Sequence, residues 1–508
     1  MFKAKRIEIV TLHEYIAIMH EKDAQELGFG PKDRIRITNE ENGKVVICEL
    51  QIFDGLKRKG ETQELRLNRG EIGLFNVAFE RLEIAENKNI TTLPAKKPYS
   101  LEYVKEKFRG KSFTYEQLQQ IMLDIVENRY SPVESTYFVI ACSEIGLSDE
   151  ETISLTKAMV GVGKILDFRE KQEDVIVDKH CIGGIPGNRT TMVVIPIIAA
   201  AGLKIPKTSS RSITSPAGTA DTMEVLANVS ISLNKMHSVV EHTNGCIVWG
   251  GGLDLSPADD IIIQVEHPLE IDSEGQMIAS ILSKKKSVGS THVLLDIPIG
   301  PTAKVNSKKE ALRLKKRFEK IGKAVGLKIK TLITDGSEPI GHGIGPYLEA
   351  LDVLMVLKNE SPKNSRLREK SLVMAGEILE MSGVTKKGFG YALAQEFLES
   401  GKALKKFEEI RNAQGRKDLP KPAKFMINIY APMAGRITGI HNKRIAKLAF
   451  ILGAPQDKVA GILFSKKTGE IVGKEDILAT LYTNSELKLK YAQAYIEENF
   501  PFMIEEIV

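Results

Sequence analysis

The chain is short of cysteine, short of aromatics and free of any long apolar run, and each shortage closes off a class of protein. Its four cysteines, Cys48, Cys142, Cys181 and Cys246, stand far apart in 508 residues. No C-x-x-C pair occurs, so neither a zinc site nor a disulfide framework is indicated, and a reducing, cytoplasmic setting is expected. Aromatics make up 6% of the residues and no basic run is interleaved with them, which argues against a nucleic-acid partner. Charge is nearly balanced: 71 Lys plus Arg against 66 Asp plus Glu leaves a formal net charge of +5. Over this length such a bias suits an anionic small molecule without requiring a polyanion. The longest apolar run, Met192 to Leu203, contains Pro196 and is too short to cross a bilayer, so no membrane partner is expected. The first twenty residues carry scattered charges and do not read as a signal peptide.

What is present is a chain long enough for about three or four domains. Roughly the first ninety residues read as strands. Arg34-Ile35-Arg36-Ile37 alternates, and Val45 to Phe53 is rich in β-branched and apolar types. A small β domain over residues 1–92 is the natural reading. Thr92 to Pro98 reads as a linker, because Pro94 and Pro98 interrupt regular structure. Residues 98–168 turn helical. Capping boxes open at Thr114 to Gln117 and Ser148 to Glu151, each followed by apolar positions on one helix face. Beyond residue 168, strand-like runs such as Val175-Ile176-Val177 and Val293-Leu294-Leu295 alternate with helical stretches, which predicts a mainly parallel sheet over 169–256 and 291–415. Residues 257–290 return to a helical pattern. A second linker, Gly415 to Lys424, carries Pro420 and Pro422 and precedes an α+β region over 425–508.

Chemistry concentrates between residues 178 and 224. From Val177 to Thr191 a short strand ends, a Gly-rich turn follows and an apolar helix begins. Glycines let backbone N–H groups approach an oxyanion, and the helix start adds its own N–H groups and positive dipole end. Lys179 offers a charge, and Thr190 and Thr191 offer hydroxyl donors. A tight turn with no ligand is the plain alternative. The second cluster, Thr208 to Glu224, packs eight hydroxyls, Arg211 and a Gly218-Thr219 turn between apolar segments. That density suits an anion accepting several hydrogen bonds, while Asp221 and Glu224 read as caps or structural pairs. A third group is Asp272, Ser280 and Lys284. Ser280 and Lys284 share one helix face at i, i+4, a spacing equally expected of a solvated face. The run Gly341 to Pro346 is a weak phosphate or ribose signal, with a left-handed turn as the alternative.

Together these clusters resemble the thymidine/pyrimidine-nucleoside phosphorylase family. The pattern S-x-R-x-[apolar]-T-x-x-x-G-T-x-D-x-[apolar]-E is met from Ser209 to Glu224. Lys179 to Gly184 matches the Lys-His-Ser-x-Gly-Gly phosphate motif, and Ser280 to Lys285 reads Ser-Ile-Leu-Ser-Lys-Lys. The resemblance covers about residues 100–508. It implies a multi-domain α/β enzyme in which a helical domain faces a mainly parallel-sheet α/β domain across a cleft, with the N-terminal small β domain and the C-terminal α+β domain added.

Within the family the chain is most similar to the AMP phosphorylase branch, whose motifs match Ile182 to Asn188, Ser209 to Thr219 and Val248-Trp249-Gly250-Gly251. By that resemblance Gly184, Ser210, Arg211, Ser212, Ile213, Thr214, Ser215, Thr219, Ser280 and Lys284 would bind the nucleotide. Lys179, Cys181, Thr191, Ser209 and Thr219 would hold phosphate, and Asp272 would donate a proton. No cofactor and no metal would be required, and a homodimer or larger homo-oligomer is implied.

Three departures bear on the substrate. Val265 stands where the pyrimidine enzymes keep a base-binding arginine, with His267 nearby. Cys181 replaces the serine of the phosphate motif, and Ser215 replaces a loop histidine. The expected reaction is AMP plus phosphate giving adenine and ribose 1,5-bisphosphate. Thymidine phosphorolysis is the alternative. An anthranilate-type phosphoribosyltransferase, dependent on magnesium, is a more distant one.

Overall fold

A computed structural model describes residues 1–9, 15–54, 67–212, 215–271, 273–363 and 365–507. The chain divides into two compact units, residues 1–162 with 257–277 and residues 163–256 with 278–508.

In the first unit, alternation builds a barrel. Strands β1 (Phe2–Ile7), β2 (Ile16–His20), β3 (Arg34–Asn39), β4 (Val45–Phe53), β5 (Glu71–Phe75) and β6 (Asn89–Pro94) close in the order β1-β5-β2-β4-β3-β6. Ile35, Ile37, Val46, Cys48 and Leu50 turn inward, as the period of two requires. Short helices α1 (Glu21–Leu27) and α2 (Asn76–Arg81) cover the barrel. The expected linker is part of it: Thr92 to Pro94 pair with β3, Ile35 lying opposite Pro94. Proline ends this strand rather than preventing it, since the last residue need not donate to a ladder.

Helices α3 (Ser100–Phe108), α4 (Tyr115–Val126), α5 (Pro132–Glu144) and α6 (Asp149–Gly161) follow, and the helix Pro257–Leu269 packs against α4 and α5. Both expected capping boxes form, and Ser131 with Glu134 makes a third at the start of α5. Arg34 reaches from the barrel to the Asn128 and Tyr130 carbonyls, and Asn128 Nδ2 donates to Ile47 O at 2.6 Å. Barrel and helices are therefore joined by hydrogen bonds.

In the second unit, β7 (Val177–Cys181) leads through the Gly-rich turn to α7 (Thr190–Ala200), then β8 (Ile205–Ser209), α8 (Thr219–Glu224), α9 (Leu233–Thr243) and β9 (Gly245–Trp249). After α10 (the helix Pro257–Leu269) and α11 (Glu274–Ser287) come β10 (His292–Ile299), α12 (Lys308–Ala324) and β11 (Lys328–Asp335). β7, β10 and β11 pair in parallel, as do β8 and β9, and a parallel bridge between Ile176 and Lys204 joins the two groups. The long apolar run of the sequence is α7, buried on every side against later helices despite Pro196.

The run Gly341 to Pro346 forms β12 (Gly343–Ile344) and the start of α13 (Pro346–Leu357), followed by α14 (Arg366–Met381), α15 (Gly390–Glu399) and α16 (Lys402–Gln414). The remaining elements are β13 (Phe425–Tyr430), β14 (Gly435–Ile440), α17 (Asn442–Leu452), β15 (Gly461–Phe464), β16 (Ile471–Val472), β17 (Ile477–Thr483), α18 (Glu486–Glu498) and β18 (Phe502–Glu505). β12 pairs with β15, so this glycine run stitches the C-terminal region to the parallel-sheet region.

Glu151 shows how the helical part is held. Its carboxylate caps α6, accepts from Lys107 Nζ at 2.7 Å and accepts from Phe113 N at 2.8 Å. Burial pushes this carboxyl up, but those hydrogen bonds outweigh it and leave it below its ordinary range. Replacing Glu151 with Ala strands the buried Lys107 ammonium and should cost about 3–5 kcal/mol. A lowered unfolding midpoint checks this, and Glu151→Gln, which keeps the cap, should lose less.

Candidate active site

Strand β7 puts alternate side chains on opposite faces, so Lys179 and Asp178 point apart. Lys179 is 1% exposed and donates to Thr190 Oγ1 at 2.8 Å and Thr191 Oγ1 at 3.2 Å, at the first turn of α7. An ammonium has three N–H bonds, so this geometry leaves one for a ligand. Burial lowers the Lys179 pKa, against the pull of Cys181 and Asp296. Between strand and helix, Gly183, Gly184 and Gly187 hold φ values of 100°, 87° and 73°. A Cβ at Gly187 would lie 2.0 Å from Ile340 O, so no side chain fits there. At Gly184 a Cβ would lie 3.2 Å from Lys304 N, which brings Lys304 beside the turn.

Cys181 accepts from Asn188 Nδ2 at 3.1 Å, and the Asn188 carbonyl oxygen accepts from Thr190 at 3.3 Å. Burial, with Asp296 adding to it, pushes the Cys181 thiol up to about 11. At neutral pH it is a neutral thiol and adds no negative charge to the turn.

Arg189 joins this turn to the hydroxyl-rich segment. Its Nη1 donates to Thr219 Oγ1 at 3.0 Å and its Nη2 to Ala217 O at 2.6 Å, while Nε pairs with the buried Glu349. Thr219 thus accepts from arginine and keeps its own hydroxyl hydrogen to give. Ser209 ends β8, and Ser210, Arg211 and Ser212 follow it; Ile213 and Thr214 lie outside the described residues. The Arg211 guanidinium is taken up within the protein. It makes two bonds of 2.8 Å to Glu224, one of 3.2 Å to Asp221, and lies over the Trp249 ring at 5.0 Å. The Asp221 carboxylate accepts from Ser212 N at 2.7 Å and Gly218 N at 2.9 Å, closing the loop. Ser212 and Ser215 donate to backbone carbonyls of the same loop. Lys458, from the C-terminal region, reaches Glu224 at 2.9 Å and Asp221 at 3.5 Å.

Helix α11 carries Ser280 and Lys284, and the Lys284 charge is felt at His180 on β7. Lys285, the next residue, donates to Asp178 Oδ2 on β7 at 2.7 Å. Burial, and then the charges of Lys285, Lys207, Lys284 and Lys179, push the His180 pKa well down. The imidazole is therefore neutral and stands among lysines, of which Lys285 and Lys207 are themselves paired with the buried Asp178 carboxylate. Asp272 lies outside the described residues. Among the described residues, no three His, Cys, Asp or Glu side chains gather as a metal-binding group, and no helix is long and apolar enough to cross a membrane.

Comparison with known proteins gives this geometry its relatives. Residues 101–163 match the helical bundle domain of the glycosyl transferase family, residues 173–404 its a/b domain, and residues 436–502 the pyrimidine nucleoside phosphorylase C-terminal domain. A Legionella pneumophila (strain Paris) protein named "Putative thymidine phosphorylase" is 46% identical over 493 residues, covering 96% of this chain and 92% of that protein. A Methylococcus capsulatus protein of the same name is 41% identical, covering 97% and 94%. The chain belongs to the thymidine/pyrimidine-nucleoside phosphorylase family. It is accordingly a pentosyltransferase of the nucleoside phosphorylase kind. The solved anthranilate phosphoribosyltransferase of Thermus thermophilus shares the fold at a TM-score of 0.51 and 18% identity, over 61% of this chain and 98% of that one.

For a nucleoside phosphorylase, the sequence reading missed Arg189, Glu349, Lys304 and Lys458. Arg189 adjoined the Gly-rich motif, yet nothing local marked it as a bridge. Glu349 and Lys458 lie more than 120 residues from the loop they brace, and only the tertiary fold reveals them. Hydrogen bonds from Arg211 hold the Glu224 carboxyl down at about 2, against burial and with help from Lys458. A carboxyl depressed in the folded state adds stability that is fully present above its ordinary value near 4.5 and is lost as pH falls through about 2. The unfolding midpoint should therefore drop between those pH values, and Glu224→Gln should flatten that part of the profile.

Proposed function

We propose that this nucleoside phosphorylase acts on a nucleoside 5′-monophosphate, AMP in the first place, giving adenine and ribose 1,5-bisphosphate. The observation that carries the reading is the buried Lys179, which Thr190 and Thr191 orient with one N–H to spare beside a turn of positive-φ glycines, open at Gly183. In this reading Lys179, Cys181, Thr191, Ser209 and Thr219 hold inorganic phosphate. Gly184, the 210–215 loop, Thr219, Ser280 and Lys284 hold the nucleotide. A phosphate oxygen forms its bond to C1′ as the C1′–N bond to the base breaks. The base leaves with the electron pair, and Asp272 supplies the proton that neutralises it. Orienting the two reactants accounts for much of the acceleration. Val265, in place of a base-binding arginine, and Ser215, in place of a histidine, support a substrate other than thymidine.

Thymidine is the second reading, favoured by the printed names of the bacterial relatives. Parallel assays of phosphate-dependent base release from AMP, CMP, UMP, adenosine and thymidine decide between them. AMP should be turned over fastest, and a thymidine rate well above the AMP rate would overturn the choice. Lys179→Ala should lower turnover by about two to three orders of magnitude, as losing one charge-stabilising donor does, with the fold intact by circular dichroism. Exhaustive chelation of divalent cations should leave the rate unchanged. A rate that collapses and returns with magnesium would favour phosphoribosyl transfer instead.

A further inference from the structure

Behind the phosphate strand lies an ion cluster that the reaction as written does not use. Asp178 is 0% exposed. Its Oδ2 accepts from Lys285 Nζ at 2.7 Å, its Oδ1 accepts from Lys179 N at 2.6 Å, and Lys207 Nζ lies 3.8 Å from the same Oδ1. The lysine side chains are 2% and 6% exposed, and Lys207 also donates to the Thr208 carbonyl. Three elements therefore meet on one carboxylate: β7 through Asp178, α11 through Lys285 and β8 through Lys207.

Each of these elements carries a residue assigned to a ligand. Lys179 follows Asp178 on β7, Lys284 precedes Lys285 and Ser280 lies one turn further back on α11, and Ser209 is two residues beyond Lys207 on β8. Stability alone does not call for such a cluster, because a well-packed apolar set usually matches or exceeds a buried ion pair. An ion cluster supplies direction and register, which apolar contacts do not. Burial and the Lys285 charge push the Lys207 pKa well down, so the carboxylate need not neutralise two full charges.

We propose that Asp178 is a positioning residue for phosphorolysis, fixing α11 and β8 against β7 so that Ser280, Lys284 and Ser209 stand in register with Lys179. This rests on the ligand assignments given above. Asp178 touches neither substrate: its oxygens are engaged within the protein.

The test uses the full chain carrying Asp178→Asn, which keeps the shape and an acceptor for Lys179 N while removing the charge. The double variant Asp178→Asn with Lys207→Met guards against failure to fold by removing one stranded amine. Either variant should lose about a hundredfold in kcat/KM, the size expected of an ångström-scale misplacement. KM for inorganic phosphate should rise, and amide hydrogen exchange should quicken across residues 278–287. A variant that unfolds at a lower temperature, yet keeps wild-type kcat and KM for phosphate at a temperature where it is folded, would overturn the proposal. The wild-type protein separates this failure from the other. Absence of base release from every nucleoside tested sinks the ligand assignments, whereas normal wild-type turnover with an unaffected variant sinks the positioning role alone.

Discussion

Strand β7 carries opposite charges on adjacent residues, and the strand geometry sends them to opposite faces. Lys179 goes toward the start of α7 and Asp178 toward α11 and β8. Both are buried, and neither charge could be held there alone, because stranding an ion away from water costs several kcal/mol. The Thr190 and Thr191 hydroxyls accept from the one, and Lys285 and Lys207 stand against the other. The site is built outward from this pair: the turn follows the strand, Arg189 follows the turn, and Arg189 reaches the loop that ends at Thr219.

Local chemistry was legible in the sequence wherever neighbours along the chain make the structure. The alternation of Ile35 and Ile37 gave the barrel strands away, and the capping boxes at Thr114 and Ser148 marked the helix starts. Lys179 and Thr191 could be read as partners because a strand, a glycine turn and a helix bring them together within a dozen residues. Prolines misled at residues 92–98, since a proline closing a strand looks the same in sequence as one that breaks it. The run Gly341 to Pro346 offered a weak phosphate or ribose signal or a left-handed turn, and its Gly341 and Gly345 do hold positive φ and serve close backbone approach. A Cβ at Gly345 would lie 2.4 Å from Ala460 O, on the strand-to-strand seam with the C-terminal region.

Asp221 and Glu224 read as caps or structural pairs and are so; what stayed hidden is which partners brace the hydroxyl-rich loop with them. In the sequence Arg211 stands amid serines, thirteen residues before Glu224. In the fold its fork is matched to Glu224, and the loop is shaped around that pair. Gly218 has an ordinary φ, yet a Cβ there would lie 2.5 Å from Ser210 O, so its smallness serves the tight return of the loop. The bracing of this segment depends on contacts across 130 residues or more, such as those from Glu349 and Lys458.

The second unit is assembled from pieces far apart in the chain. Gln414, at the end of α16, donates to Asn228 O and Ile247 O and accepts from Ile247 N, and α16 also packs on α7. Strand β7, its glycine turn and α7 thus come early in the chain, while α13, α14, α15 and α16, which cover α7, follow it by about 150 to 200 residues. Until then this apolar helix has only the nearby β8, α8 and β9 to pack against. A chain interrupted before α16 would therefore leave part of α7 uncovered, an apolar face open to association with other chains.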